Sequence, residues 1–132
     1  MAEYTIRTTV ERPYDETVEA VREHLVGAGF GVLTEIDLRS TLKQKLGVDV
    51  APQVILGACR PELAHRALQA DPSVAAPLPC NVVVRSAGDS TTVVEAFDPA
   101  AMTTFGGDAL GPVAADARGR LTQALAALGG GR

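Results

Sequence analysis

The chain predicts an α+β domain of two layers: a curved, mostly antiparallel sheet of about five strands, with two long helices on one face and short helices in the connections. Three observations lead there. Apolar residues recur at helical spacing near both ends of the chain, after Asp15 and after Pro112. Strand-length runs rich in Val, Ile and Leu lie between those ends. Two of the runs are separated only by Ala87-Gly88-Asp89-Ser90, a hairpin turn. Helices kept apart from a run of strands must pack together on one side of the sheet.

The elements follow in order. Glu3–Val10 is a strand with Tyr4, Ile6, Thr8 and Val10 on one face, ended by Pro13. Asp15 is placed to cap the next helix, in which Val18, Val21, Leu25 and Ala28 form one apolar face. Gly27 and Gly29 end it. In the second strand, Phe30–Leu38, alternation sends Phe30, Val32, Thr34 and Ile36 one way and Leu33, Glu35 and Asp37 the other. Asp37 caps a short helix carrying Leu38, Leu42 and Leu46, which Gly47 stops.

Gln53–Arg60 is nearly all apolar, the pattern of a strand covered on both faces. Pro61 opens a short helix whose buried side is Leu63, Ala64, Ala67 and Leu68. Asp71-Pro72, Pro77 and Pro79 keep the following residues extended. Cys80–Ser86 and Thr91–Asp98 form the hairpin, and Asp98-Pro99 starts one helical turn ending near Met102. Thr103–Gly111 is Gly-rich and reads as a mobile loop. Pro112–Leu128 is the last helix, with Ala114, Ala117, Leu121, Leu125 and Leu128 as its stripe, and Gly129–Arg132 is a disordered tail.

A length of 132 residues suits a single domain, ordered from about residue 3 to residue 128. Trp is absent and aromatics are few, so the core is aliphatic. The net charge of −4 argues against nucleic acid as a partner. No apolar run is long enough to cross a bilayer, and the first residues do not read as a signal peptide. A cytoplasmic protein with reduced thiols is the expectation.

Three segments, GFGVLTEIDLRSTLKQKLGV, ILGACRPELAHRALQADPSVAAPLPCNVVV and AFDPAAM, together resemble the domain-of-unknown-function family number 302 from about Tyr4 to Leu128. The resemblance implies a fold similar to that of the TATA-binding protein, a curved antiparallel sheet backed by two helices, with no DNA binding implied. It implies no activity. The chain departs from the family pattern at Arg60, which stands where the pattern has Asn; Arg cannot cap the following helix as Asn would.

Candidate sites centre on Cys59 and Cys80. An antiparallel meander would set the end of one strand beside the start of the other and make these two residues neighbours. The helix beginning at Pro61 would favour a thiolate at Cys59. Against this stands the plain reading of two small buried hydrophobes. His65 is a possible third soft donor, although Cys59, Cys80 and His65 match no standard zinc spacing, and no metal or other cofactor is expected. Glu35 is the acid–base candidate, with Asp37, Glu95 and Asp98; the two aspartates already serve as caps. The Gly27, Gly29, Gly31 run follows a helix and opens a strand, the reverse of a dinucleotide loop.

The function expected from these residues is a small-ligand-binding or sensing module without catalysis of its own. A homodimer is expected because Val54, Leu56, Val83, Val93 and Phe97, read as lying opposite Ile55, Val82 and Val94, give the sheet a second apolar face. The alternative is a thiol-dependent redox or metal-handling protein using Cys59 and Cys80.

Overall fold

The computed structural model describes residues 4–106 and 108–130, with no account of the side chains at 105, 106, 129 and 130. Five strands, β1 (Thr5–Val10), β2 (Gly31–Asp37), β3 (Gln53–Cys59), β4 (Cys80–Ser86) and β5 (Thr92–Phe97), form one sheet in the order β1-β5-β4-β3-β2. Every neighbouring pair is antiparallel. The sheet is curved and open, with β1 and β2 as its edges. Helices α1 (Tyr14–Gly27) and α5 (Gly111–Gly130) pack against one face.

The main core lies between these layers. Val54, Leu56 and Ala58 of β3, Val82 and Val84 of β4, and Val94 and Ala96 of β5 meet Ala20, Val21 and Leu25 of α1 and Leu121, Leu125 and Leu128 of α5. Fully burying side chains of this size stabilises by about 1.5–3 kcal/mol each, against the conformational entropy of ordering them. Two buried hydroxyls are satisfied at the corner where β1 turns into α1: Thr17 Oγ1 donates to the Pro13 carbonyl at 2.9 Å, and Thr92 Oγ1 to the Arg12 carbonyl at 2.8 Å. The N-cap of α1 is Pro13, without a side-chain cap bond. Asp15 therefore lies inside the first turn, where its charge still suits the helix end, and is not the cap expected of it.

Strand pairing corrects two readings made from alternation alone. Val54 pairs with Val84 and Leu56 with Val82, so all four share the helix-covered face. The outer face instead carries Ile55, Val83, Val93 and Phe97. Alternation within each strand is right; the phase between strands depends on register, which a single strand does not encode. In β2 the register shifts between Val32 and Thr34. The extra residue, Leu33, reverses the faces beyond it, so Glu35 lies on the helix side opposite Leu56 while Ile36 faces outward opposite Ile55.

The outer face is less apolar than the alternation implied. Arg7, Glu95, Val83, Ile55 and Ile36 form one row across the five strands. Glu95 accepts hydrogen bonds from Thr5 Oγ1 and from Arg85 Nη1, the latter at 2.8 Å. Phe97 is half-buried against a second core cluster. Above Gly57 the surface is closed by other means: a Cβ there would meet Thr34 Oγ1 at 2.1 Å and Pro79 Cγ at 2.8 Å, so the absence of a side chain admits both neighbours.

The connections hold more structure than expected. Asp37 caps α2 (Leu38–Leu46) through the Ser40 amide at 2.9 Å, as read from the sequence. Helix α3 (Pro61–Ala70) buries Leu63 and Ala67 but leaves Leu68 exposed. The segment after Asp71 includes a 3-10 turn, Pro72–Ala75, where Asp71 accepts from the Ser73 amide. The expected loop before α5 contains α4 (Thr103–Gly106) and a 3-10 turn, Asp108–Leu110, whose Leu110 is buried. Its apolar residue holds it down, against the reading of a free loop. Helix α5 runs to Gly130, so Gly129 and Gly130 of the expected tail are helical, and Gly131 and Arg132 lie outside the described residues.

Candidate functional site: an apolar cavity at one end of the sheet

Strands β2, β3 and β4 bring Gly31, Cys59 and Cys80 to the same end of the sheet, because Gly31 pairs with Cys59 and Ala58 with Cys80. Helix α3 leaves β3 at this end, and its Ala67 joins Val74, Met102 and Leu110 in the second core cluster. The first turns of α5 close the remaining side. Between these parts is a cavity of about 40 Å³, lined by both cysteines, Phe30, Leu63, Met102 and Leu110 among others. One charged side chain, Arg60, joins the lining.

The meander thus brings Cys59 and Cys80 to one cavity, as the strand order suggested, and both thiols are free. Their electrostatics run against an activated thiolate. Burial raises the Cys59 pKa. Burial, helped by the nearby Cys59 charge, pushes Cys80 up to about 11. The α3 N-terminus was expected to lower Cys59; the loss of water works in the opposite direction. At neutral pH both are thiols.

The other sequence candidates lie elsewhere. His65 is exposed on α3 and does not line the cavity. Glu35 sits at the opposite end of the sheet in an open polar depression with Tyr14, Asp15, Glu19, Arg22 and Asp37. There it forms an ion pair with Arg22. Burial, then the charges of Asp37, Asp15 and Glu35, raise the Tyr14 pKa. Asp98 caps the turn Pro99–Met102 and accepts from Arg118 Nε at 3.1 Å. Among the described residues, no three or more His, Cys, Asp or Glu side chains gather as a metal would require.

Arg60, which cannot cap the helix as Asn would, makes no cap bond. Its side chain is 17% exposed, and Nη1 donates to Glu62 at 3.1 Å. Its Nε is buried, with no hydrogen-bond partner among the described residues. The signal available in the sequence was one Arg ending an apolar strand, just before Pro61.

Fold and cavity together define a small two-layer α+β domain with an apolar site at the end of an open antiparallel sheet. The family model described as "Domain of unknown function DUF302" matches residues 6–128, and the chain belongs to that family. A solved structure, described as the crystal structure of uncharacterized conserved protein DUF302 from Bacillus stearothermophilus, is 34% identical with a TM-score of 0.85; the match covers 95% of this chain and 98% of that one. No curated protein matches the chain. Among the described residues, no helix is long and apolar enough to cross a membrane.

Proposed function

We propose that the protein is a non-catalytic binding or sensing module whose small-molecule site is the cavity beside Cys59 and Cys80. The observation that supports it is an apolar cavity whose lining includes one charged residue, Arg60. Core packing ordinarily removes such space, since interiors are filled to crystal-like density. Ligand sites share this apolar lining with few polar groups but commonly run to about 300–1,000 Å³, so about 40 Å³ here suits only a very small molecule. The test is amide NMR of the whole chain against a library of small fragments. Binding should shift the amides of Phe30, Cys59, Ala64 and Leu110; a library that leaves them unmoved removes the reading.

The same proposal includes a homodimer in the cytoplasm, with a fold like that of the TATA-binding protein. Of the seven large apolar side chains that stand exposed among the described residues, Leu33 and Ile36 belong to edge strand β2, Leu46 to α2, and Val48 follows it. A second copy pairing at this edge would cover them. Sedimentation at micromolar concentration showing only monomer would end this part. The free cysteines fit a reducing compartment.

A second reading, a thiol-dependent redox or metal-handling protein, is favoured by one observation: Met102 lines the cavity with Cys59 and Cys80, three soft sulfur-bearing residues. It requires a metal by elemental analysis, or rapid alkylation of Cys59 near neutral pH.

A further inference from the structure

The cavity beside the cysteines offers almost nothing polar to an occupant. Arg60 is the one charged residue among the described residues of its lining. Its Nε has no surface open to water, and its Nη1 donates to Glu62, whose side chain is 75% exposed. Arg60 therefore adds chiefly the apolar stem of its side chain. Burial keeps Cys59 and Cys80 protonated at neutral pH. A thiol is a weak hydrogen-bond partner and packs as a small apolar group.

Water is poorly held in such a place. A buried water ordinarily makes about three hydrogen bonds to polar groups, and apolar cavities stay dry. Ions and strongly polar molecules are turned away for the same reason, since nothing replaces their hydration. The lining atoms in turn lack dispersion partners on one side. An apolar occupant supplies those partners and displaces no bound water. The sulfurs of Met102, Cys59 and Cys80 are polarisable and strengthen this attraction. The space is also small: at about 10–15 Å³ for each water-sized group, 40 Å³ holds about three of them. Of the two cysteines on its wall, Cys59 is half-buried and Cys80 buried, so the space runs inward from near the surface.

We propose that the cavity takes an uncharged, apolar molecule of about two or three heavy atoms, a dissolved gas of the size of dioxygen, held by dispersion contact with Leu63, Leu78, Met102 and Leu110. This rests on the cavity being the ligand site and adds the chemical class. Size and dryness select the occupant, and no directed bond to the lining is required.

The experiment is amide NMR of the whole protein under xenon and, separately, under dioxygen, with formate and methylammonium as charged probes of similar size. Xenon should shift the amides of Cys59, Leu63, Cys80 and Leu110 saturably. Dioxygen, being paramagnetic, should broaden the same amides more than those of Leu56 and Val94 in the main core. Formate and methylammonium should bind about a hundredfold more weakly than xenon or not at all, because each would leave its charge unpaired. Ala64→Leu and Ala114→Leu, which fill the space from α3 and from α5, should each remove the xenon and dioxygen effects. If either filled variant does not fold, the wild-type ranking of the four probes decides alone. Xenon acting evenly across the whole core, or filled variants responding like wild type, overturns the gas site. Formate or methylammonium binding in preference to xenon overturns the apolar class while the cavity reading stands. Failure of all four probes to move those amides overturns the gas; fragments of every other class failing as well removes the cavity reading with it.

Discussion

At one end of the sheet, Phe30, Cys59, Cys80 and Pro99 border a cavity of about 40 Å³; at the other, Tyr14, Glu35 and Asp37 line a depression of about 360 Å³. The second space is larger and richer in ionisable groups, yet it is open to water. Its charges pair on the surface, as Arg22 does with both Glu19 and Glu35. The first space is roofed by α3, the turns around Met102 and Leu110, and the start of α5. Strand β3 reaches both, with Cys59 at the first and Val54 at the second, so the difference comes largely from what covers them. In open water an ion pair contributes little.

The largest expected effect comes from opening the roof. Leu110 is 1% exposed, and Leu110→Ala should cost about 3 kcal/mol in denaturant unfolding. Retention of wild-type stability would mean that the turn does not seal the cavity. Next comes the dry environment of Cys80. With its thiol pushed from 9.0 up to about 11, thiolate at pH 7.5 should be about a hundredfold scarcer than for an ordinary cysteine, and alkylation followed by mass spectrometry should be correspondingly slow. The sign for stability follows. The folded state holds this proton more tightly, so the contribution is whole below pH 9.0 and is lost as pH rises through about 11. Labelling of Cys80 as fast as a free thiol would erase the contrast between the two ends.

Glu95, on the outer face of β5, provides an intermediate case. Its hydrogen bond from Thr5, then that from Arg85, hold its carboxyl below the usual value of 4.5. Its contribution is present above pH 4.5 and lost as pH falls through the lower folded value. Thr5→Val should cost about 1 kcal/mol at pH 7. That cost should shrink in acid, which unfolding curves at two pH values would show. The smallest effect belongs to the wet end. Glu35→Gln should change stability by less than about 0.5 kcal/mol, and added salt should erase the change. A loss of 2 kcal/mol or more would show that the open end carries as much as the roofed one.

Much of this architecture was legible in the residues. The antiparallel sheet with two long helices on one face, the caps at Asp37 and Asp98, and the stripe Ala114, Ala117, Leu121, Leu125 and Leu128 all follow from local pattern. Of the candidate site, Cys59 and Cys80 were found because strand order alone places them together. Arg60 was missed as a cavity residue, and His65 was grouped with cysteines whose cavity it does not line. Helical spacing already puts His65 off the Leu63–Ala67 face of α3, whereas Arg60 reaches the cavity only through the packing of α3 and α5 on distant residues.

The sequence by itself determined which segments are helix and which are strand, where several of them start and stop, and which side chains alternate within a strand. These are settled by neighbours within about four positions, through side-chain spacing and capping. Only the tertiary structure decided the phase between β3 and β4, the reversal at Leu33, and the burial of Arg60 Nε. Those depend on register and on elements far apart in the chain, because a face is inner or outer, and a charge dry or wet, only with respect to what packs over it.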